Sequence, residues 1–282
     1  MDRCKQLTML CAILVLLVAV PAQLFAWSGK GHAIVAELAE SRLTPETRAQ
    51  VRQLLGDQSL ASVSDWADHV KGEFPQSYGW HFVDIPESAV GFSETRDCFH
   101  PQRNRWNTSV DHHNCVVDRI EMFARVLADQ NASPEDRRIA LKWLVHLVAD
   151  AHQPLHAVAE AHGGNDIELP VFGSLQCGPH PCNLHAAWDD ALIWHANLRN
   201  REYVQMLDQL IRTEHLEQQA GGTPEDWVNE SHADARRILE ARPVTVDEAY
   251  YRQNIATVNR RLALAGLRLA QLLNQALGQP RR

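Results

Sequence analysis

The chain is 282 residues long and carries a net charge of −8 with its histidines neutral. That length suits one large domain or two small ones, and the acidic balance excludes the broad basic surface of a typical nucleic-acid binder unless bound cations reverse the field locally. No window beyond the N-terminal leader approaches a membrane-spanning apolar run, which argues against an integral membrane protein.

Residues 1–26 read as a secretory signal peptide: Arg3 and Lys5 at the charged start, an apolar run from Met9 to Val20, then Pro21 and the small residue Ala26. Cleavage after Ala26 makes Trp27 the mature N-terminus, and the expected location is secreted or periplasmic. Cys4 and Cys11 leave with the leader. The remaining Cys98, Cys115, Cys177 and Cys182 imply two disulfides in an oxidising compartment, and the sequence-near pairing, Cys98 with Cys115 and Cys177 with Cys182, is expected among the three arrangements. A thiolate metal site is the weaker reading, because there is no C-x-x-C pair. Residues 27–282 contain no linker, low-complexity tract or repeat, so a single domain is expected.

Along that domain, Thr44-Pro45-Glu46 is an N-cap followed by Pro at the first helical position, predicting a helix through Leu55 that Gly56 ends. SDWADHV places Asp65, Asp68 and His69 on a short helix, and YGWHFVDIP places His81 among aromatics. Ser133-Pro134-Glu135-Asp136 repeats the cap, after which Ile139, Trp143, Leu144, Leu147 and Val148 form an apolar stripe. Tyr203 to Ile211, Asp226 to Leu239 and Ile255 to Leu277 are further amphipathic helices. Alternating strand patterns are scarce, the best being Ile167 to Phe172 and the stretch around His81 to Ile85. The fold class is therefore all-α, one globular domain of packed helices with at most a small β-hairpin.

In LVHLVADAHQPLH, His146 and Asp150 are four residues apart and project together into the apolar stripe. An unpartnered carboxylate there costs several kcal/mol, and a metal ion is the partner that also uses the histidine; a buried His-Asp hydrogen bond is the plainer alternative. The spacing recurs in NLHAAWDD with His185 and Asp189. His156 follows Pro154, which breaks the helix and lets the imidazole approach from another angle. An inventory of several N and O ligands without cysteine suits zinc in an exported phosphodiesterase.

The stretches WSGKGH (27 to 32), SDWAD (64 to 68), WHFVDIP (80 to 86), LVHLVADAHQPLH (144 to 156), GGN (163 to 165) and NLHAAWD (183 to 189) follow one another in an order and spacing that closely resemble the zinc-dependent single-strand-specific nucleases of the S1/P1 type, related to zinc phospholipase C. The resemblance spans nearly the whole mature chain and implies a cleft with three zinc ions. Asp68, His81, His146 and Asp150 match the ligands of one. His32 and the amino group and carbonyl oxygen of Trp27 match those of a second, bridged to the first by Asp150. His156, His185 and Asp189 match those of the third. A terminal amine can bind zinc only after the preceding peptide is cut, so signal removal is part of building the site.

The resemblance further implies attack of zinc-activated water on phosphorus, with Asp68 and Asp150 at the catalytic centre and Lys71 as the basic residue that meets transition-state charge. A solvated surface lysine is the alternative for Lys71, one of three lysines beyond the leader. Phe82 matches a base-stacking ring, Asp84 the acid that reads a base edge, and Gly163, Gly164 and Asn165 the turn that completes the pocket, which explains a preference for unpaired strands. His162 departs from the apolar residue expected before that turn. The implied activity is hydrolysis of single-stranded DNA and RNA to 5′-nucleotides, with 3′-nucleotidase activity besides, by a monomer without protein partners. The rival readings are a zinc phospholipase C and a non-catalytic zinc-binding protein. His69, His100, His112, His113, His180 and His195 are left unassigned, and Asn107, Asn131 and Asn229 lie in N-x-S/T sequons.

Overall fold

The computed structural model describes Trp27, residues 29–98 and residues 114–278. The leader, Asn107, His100, His112 and His113 lie outside the described residues. The helices, in chain order, are α1 (Gly29–Ser41), α2 (Pro45–Leu55), α3 (Trp66–His69), α4 (Glu94–Asp97), α5 (Val116–Ala128), α6 (Pro134–Asp150), α7 (Ala161–Gly164), α8 (Leu184–Ala186), α9 (Leu192–His195), α10 (Asn200–Thr213), α11 (Pro224–Glu240) and α12 (Glu248–Leu277). The only paired strands among the described residues are β1 (Gln176–Cys177) and β2 (His180–Pro181), a two-residue hairpin. The all-α expectation holds.

The predicted caps form as their chemistry requires. Thr44 accepts a hydrogen bond from the Thr47 amide and Ser133 one from the Asp136 amide, each ahead of Pro at the first helical position. Gly56, with φ 67°, closes α2 in the left-handed region that favours glycine. The alternation in Ile167 to Phe172 reports one-sided burial of Leu169 and Val171 rather than a strand; Glu168 and Val171 make only isolated bridges. The 81–85 stretch is extended but pairs with the turn after α6, Val83 donating to the His156 carbonyl and Ala159 to that of Ile85.

α6 is the centre of the molecule, buried along most of Ala140 to Asp150 and packed on α5, α12 and α1. An aromatic cluster, Trp66, Trp80, Phe123 and Trp143, fills the space between α3, α5, α6 and the segment leading to His81. α12 crosses α1 where Gly266 lies: a Cβ there would sit 2.5 Å from the Leu38 side chain, so the two backbones meet because one residue lacks a side chain. No helix among the described residues is long and apolar enough to cross a membrane. The disulfides are Cys98–Cys115 and Cys177–Cys182, the expected pairing.

Candidate metal centre

Because α-helical periodicity stacks residues four apart, α6 presents His146 and Asp150 on one line, both fully buried. Asp150 is the hub. Its Oδ2 lies 2.9 Å from His81 Nδ1 and 3.1 Å from His146 Nε2, while Oδ1 lies 3.4 Å from His32 Nε2. His32 comes from α1 and His81 from the last residue of the 3-10 turn Pro75–His81. Asp68 on α3 adds Oδ1 at 3.5 Å from His146 Nε2 and 3.8 Å from His81 Nδ1. A second group joins it: His156 Nε2 lies 3.7 Å from Asp189 Oδ1, and His185 Nε2 lies 3.1 Å from Asp189 Oδ2. His185 and Asp189 sit on α8 and the π-helical turn Ala187–Ala191 that follows, a helix irregularity frequent at functional sites.

Backbone carbonyls fix the rings. A carbonyl can only accept, so His146 Nδ1 donates to Ser64, His156 Nδ1 to His81 and His185 Nδ1 to Gly163, at 2.8, 3.0 and 2.7 Å. Each Nε2 is thereby left as a lone-pair donor facing the cluster, the arrangement in which outer hydrogen bonds orient imidazole ligands. The three groups His32/His146/Asp150, Asp68/His81/His146 and His156/His185/Asp189 each hold one ligand atom per residue within 4.8 Å of the others. Cys98, Cys115 and Asp118 satisfy the same distance, but the two sulfurs are joined to each other and offer no thiolate.

These residues fit a divalent cation. Both ring nitrogens of His32 and Oδ1 of Asp150 are buried without a hydrogen-bond partner. Such atoms cost several kcal/mol unless compensated, and a cation that takes imidazole and carboxylate donors compensates all of them together. Trp27 is fully buried, its indole Nε1 donating to the Ala149 carbonyl at 2.9 Å, which ties the segment before α1 to the last turn of α6.

The electrostatics are those of tightly packed opposite charges. Burial raises the Asp68 carboxyl, but His146, Lys71 and His81 outweigh it and hold it at about 2. Burial lowers His146, yet Asp150 and Asp68 push it up to about 9. Burial brings His81 down to about 3 and His156 to about 4. For His185, burial is overcome by Asp189 and the value rises. Lys71 is half-buried with Nζ 2.7 Å from Asp68 Oδ1, so the solvated-lysine alternative does not describe it.

Phe82 and Asp84 are both half-buried and alternate with the buried His81, Val83 and Ile85, so they share the other side of the extended segment. Tyr78 meets the Phe82 ring edge-on at 6.1 Å. The GGN turn has a second use that sequence reasoning missed. Gly163 (φ 62°) presents the carbonyl that orients His185, and a Cβ there would lie 2.4 Å from the Leu155 carbonyl oxygen, so only glycine fits. Gly164 (φ 84°) packs on Leu155, and Asn165 Nδ2 closes the turn on the His162 carbonyl at 2.8 Å. His162 points outward to Asp166.

Among the unassigned histidines, His69 and His180 are exposed and His195 stacks on Phe172 while bonding Glu248. Two buried histidines escaped notice altogether, His152 and His232, each spending Nδ1 on a backbone carbonyl. Their signal was polarity in otherwise apolar faces, and His152 sits in the HQPLH stretch itself.

A family model described as S1/P1 Nuclease matches residues 27–278. The chain is 29% identical to Endonuclease 2 of Arabidopsis thaliana over 93% of this chain and 94% of that protein. It is 27% identical to Nuclease P1 of Penicillium citrinum over 89% of this chain and 98% of that protein, and 32% identical to Nuclease S1 of Aspergillus oryzae over 58% and 54%.

Proposed function

Since this chain belongs to the S1/P1 nuclease family, we propose that this nuclease is an exported zinc enzyme that hydrolyses single-stranded DNA and RNA to 5′-nucleotides, with 3′-nucleotidase activity at strand ends. The observation that carries the reading is Asp150, a carboxylate with no exposed surface whose two oxygens face different imidazoles, His32 on one side and His81 with His146 on the other. A carboxylate so placed would offer one oxygen to each of two cations.

In this reading Asp68, His81, His146 and Asp150 hold one zinc; His32, Asp150 and the amino group and carbonyl oxygen of Trp27 hold a second; His156, His185 and Asp189 hold a third. When bound, zinc lowers the pKa of a coordinated water towards neutrality, so that hydroxide is available to attack phosphorus, and it offsets the charge of the phosphodiester. Asp68, ionised down to about pH 2, would orient that water by accepting a hydrogen bond from it, the proton passing to solvent. Lys71, held on Asp68, brings a cation to the phosphate oxygens as charge builds on them. Phe82 stacks an unpaired base and Asp84 accepts from its edge, with the Gly163-Gly164-Asn165 turn as the opposite wall. A base must leave its helix to stack in this way, which supports single strands as substrates. The protein acts as a monomer after cleavage behind Ala26.

The test is hydrolysis of heat-denatured DNA, RNA, duplex DNA and a phosphatidylcholine emulsion by the mature protein, before and after dialysis against a chelator. Denatured DNA and RNA are expected to yield 5′-phosphorylated products, with activity lost to the chelator and restored by zinc. Cleavage of the lipid alone would overturn the proposal.

A further inference from the structure

Gln153 lies between α6 and the 3-10 turn Pro154–Ala157, three residues after Asp150, and has no exposed surface. Its Oε1 accepts a hydrogen bond from the Leu155 amide at 2.6 Å, and its Nε2 donates to Asp189 Oδ1 at 2.5 Å. The orientation of this amide is forced. The Leu155 N–H can only donate, so the oxygen must face it, and the NH2 group must face the carboxylate.

The consequence falls on Asp189, which is 3% exposed. With Oδ1 engaged by Gln153, Oδ2 is the oxygen that faces His185 Nε2 at 3.1 Å. Each of the three side chains in this group therefore has one atom held from behind: His156 by the His81 carbonyl, His185 by the Gly163 carbonyl, Asp189 by the Gln153 amide. The first two are backbone contacts that no substitution removes directly. The third is a side chain, and it links the end of the Asp150 helix to the Asp189 turn.

We propose that Gln153 is a positioning residue of this metal centre: its amide holds the Asp189 carboxylate in the orientation that presents Oδ2 beside His185 Nε2, so that the His156/His185/Asp189 group is preformed for a divalent cation. The inference rests on the reading of that group as a zinc site. Each carboxylate oxygen has two lone pairs, so the buried hydrogen bond to Oδ1 fixes the orientation of Asp189 without removing it as a donor, and its loss lets the carboxylate turn away from His156 and His185.

The experiment measures zinc retained per chain, by elemental analysis, after dialysis of the mature protein against a graded series of chelator concentrations. Gln153→Glu keeps the acceptor for the Leu155 amide and loses the donor to Asp189; Gln153→Met keeps the shape and loses both. In both variants one zinc equivalent should be released at about 10- to 100-fold lower chelator concentration than in the unsubstituted protein, the other equivalents titrating unchanged. Release of all equivalents together, or no change, would overturn the assignment, because a general weakening of the fold moves every site alike. Should neither variant fold, a crystal structure of the zinc-loaded unsubstituted protein decides: Gln153 Nε2 bonded to a zinc-bound Asp189 supports the proposal, a Gln153 amide turned away from that carboxylate rejects it. An unsubstituted protein that binds no zinc at His156, His185 and Asp189 rejects the underlying site reading as well.

Discussion

At the scale of single residues, the centre is a set of groups whose protonation opposes or favours metal. His146 is pushed up to about 9 and His185 is also raised, because Asp150 and Asp68 in one case and Asp189 in the other outweigh burial. His146 therefore carries a proton at neutral pH in the metal-free protein that a cation must displace, and Asp189 favours the charged form of His185 in the same sense. The sign follows: affinity rises with pH until His146 is deprotonated near 9 and falls on the acid side by about tenfold per pH unit for each imidazole that must lose its proton. Asp68, held at about 2, stays ionised throughout this range and adds nothing to the slope. Competition with a chromophoric chelator at pH 6, 7 and 8 gives the slope, and calorimetry in buffers of different ionisation enthalpy gives the protons released. An affinity independent of pH across that range would mean that the pairings described here do not govern binding. The residues of this network were legible to different degrees. The His146/Asp150 and His185/Asp189 pairs declare themselves by spacing, since a helix turns that spacing into a shared face. His32, Asp68 and His81 do not, because each reaches the centre from a different element and only tertiary packing brings them within range.

Elements, in turn, were readable where local chemistry sets them and obscure where burial does. α2, α6 and α11 carry cap residues ahead of Pro, and each cap forms. α1 carries no such signal. It opens on Gly29-Lys30-Gly31 and is buried at Ile34, Val35, Ala36, Leu38 and Ala39, so its apolar positions surround the axis instead of marking one face. Its helix depends on packing against α12, and that dependence makes α12 the element to probe. α12 is anchored by Arg268, 1% exposed, whose guanidinium donates to both carboxylate oxygens of Glu230 on α11 at 2.8 Å and to His152 Nε2 at 2.9 Å behind the end of α6. Replacing it with leucine preserves apolar contact, leaves the His152 nitrogen without its partner and leaves the Glu230 charge with Arg261 alone. Glu230 is partly exposed and keeps Arg261, so the cost falls below the range for breaking a fully buried pair, at about 2 kcal/mol. Urea unfolding of Arg268→Leu at fixed saturating zinc measures it, and a loss below about 1 kcal/mol would show that the network contributes order without stability.

For the molecule as a whole, the question is how an acidic chain builds a site for a polyanion, and the answer begins at its first mature residue. The charge of −8 was read from the sequence as a conflict that only bound cations resolve, and the buried His and Asp groups are where they fit. The groups run from His32 on α1 to Asp189 after α8, so 158 positions must fold before the centre exists; on this scale the sequence showed the inventory but not the convergence. Trp27 sits at the start of that span with no exposed surface, its indole bonded to the Ala149 carbonyl next to Asp150 and its Cβ against Gly31, where an added Cβ would approach within 2.9 Å. Trp27 is thus fixed at two points beside the hub, and in the proposed reading its amine becomes a donor once the preceding peptide is cut. A chain that keeps Ala26 would still bury the indole but would present an amide nitrogen, whose lone pair is delocalised into the carbonyl, in place of a basic amine. The expected result is a folded protein that retains about two zinc ions instead of three, with activity on denatured DNA reduced by at least about a hundredfold. Elemental analysis and near-ultraviolet circular dichroism on the two forms side by side separate loss of metal from loss of fold. Full zinc content and unchanged activity in the extended form would show that the amine of Trp27 plays no part, and that His32 and Asp150 hold their cation without it.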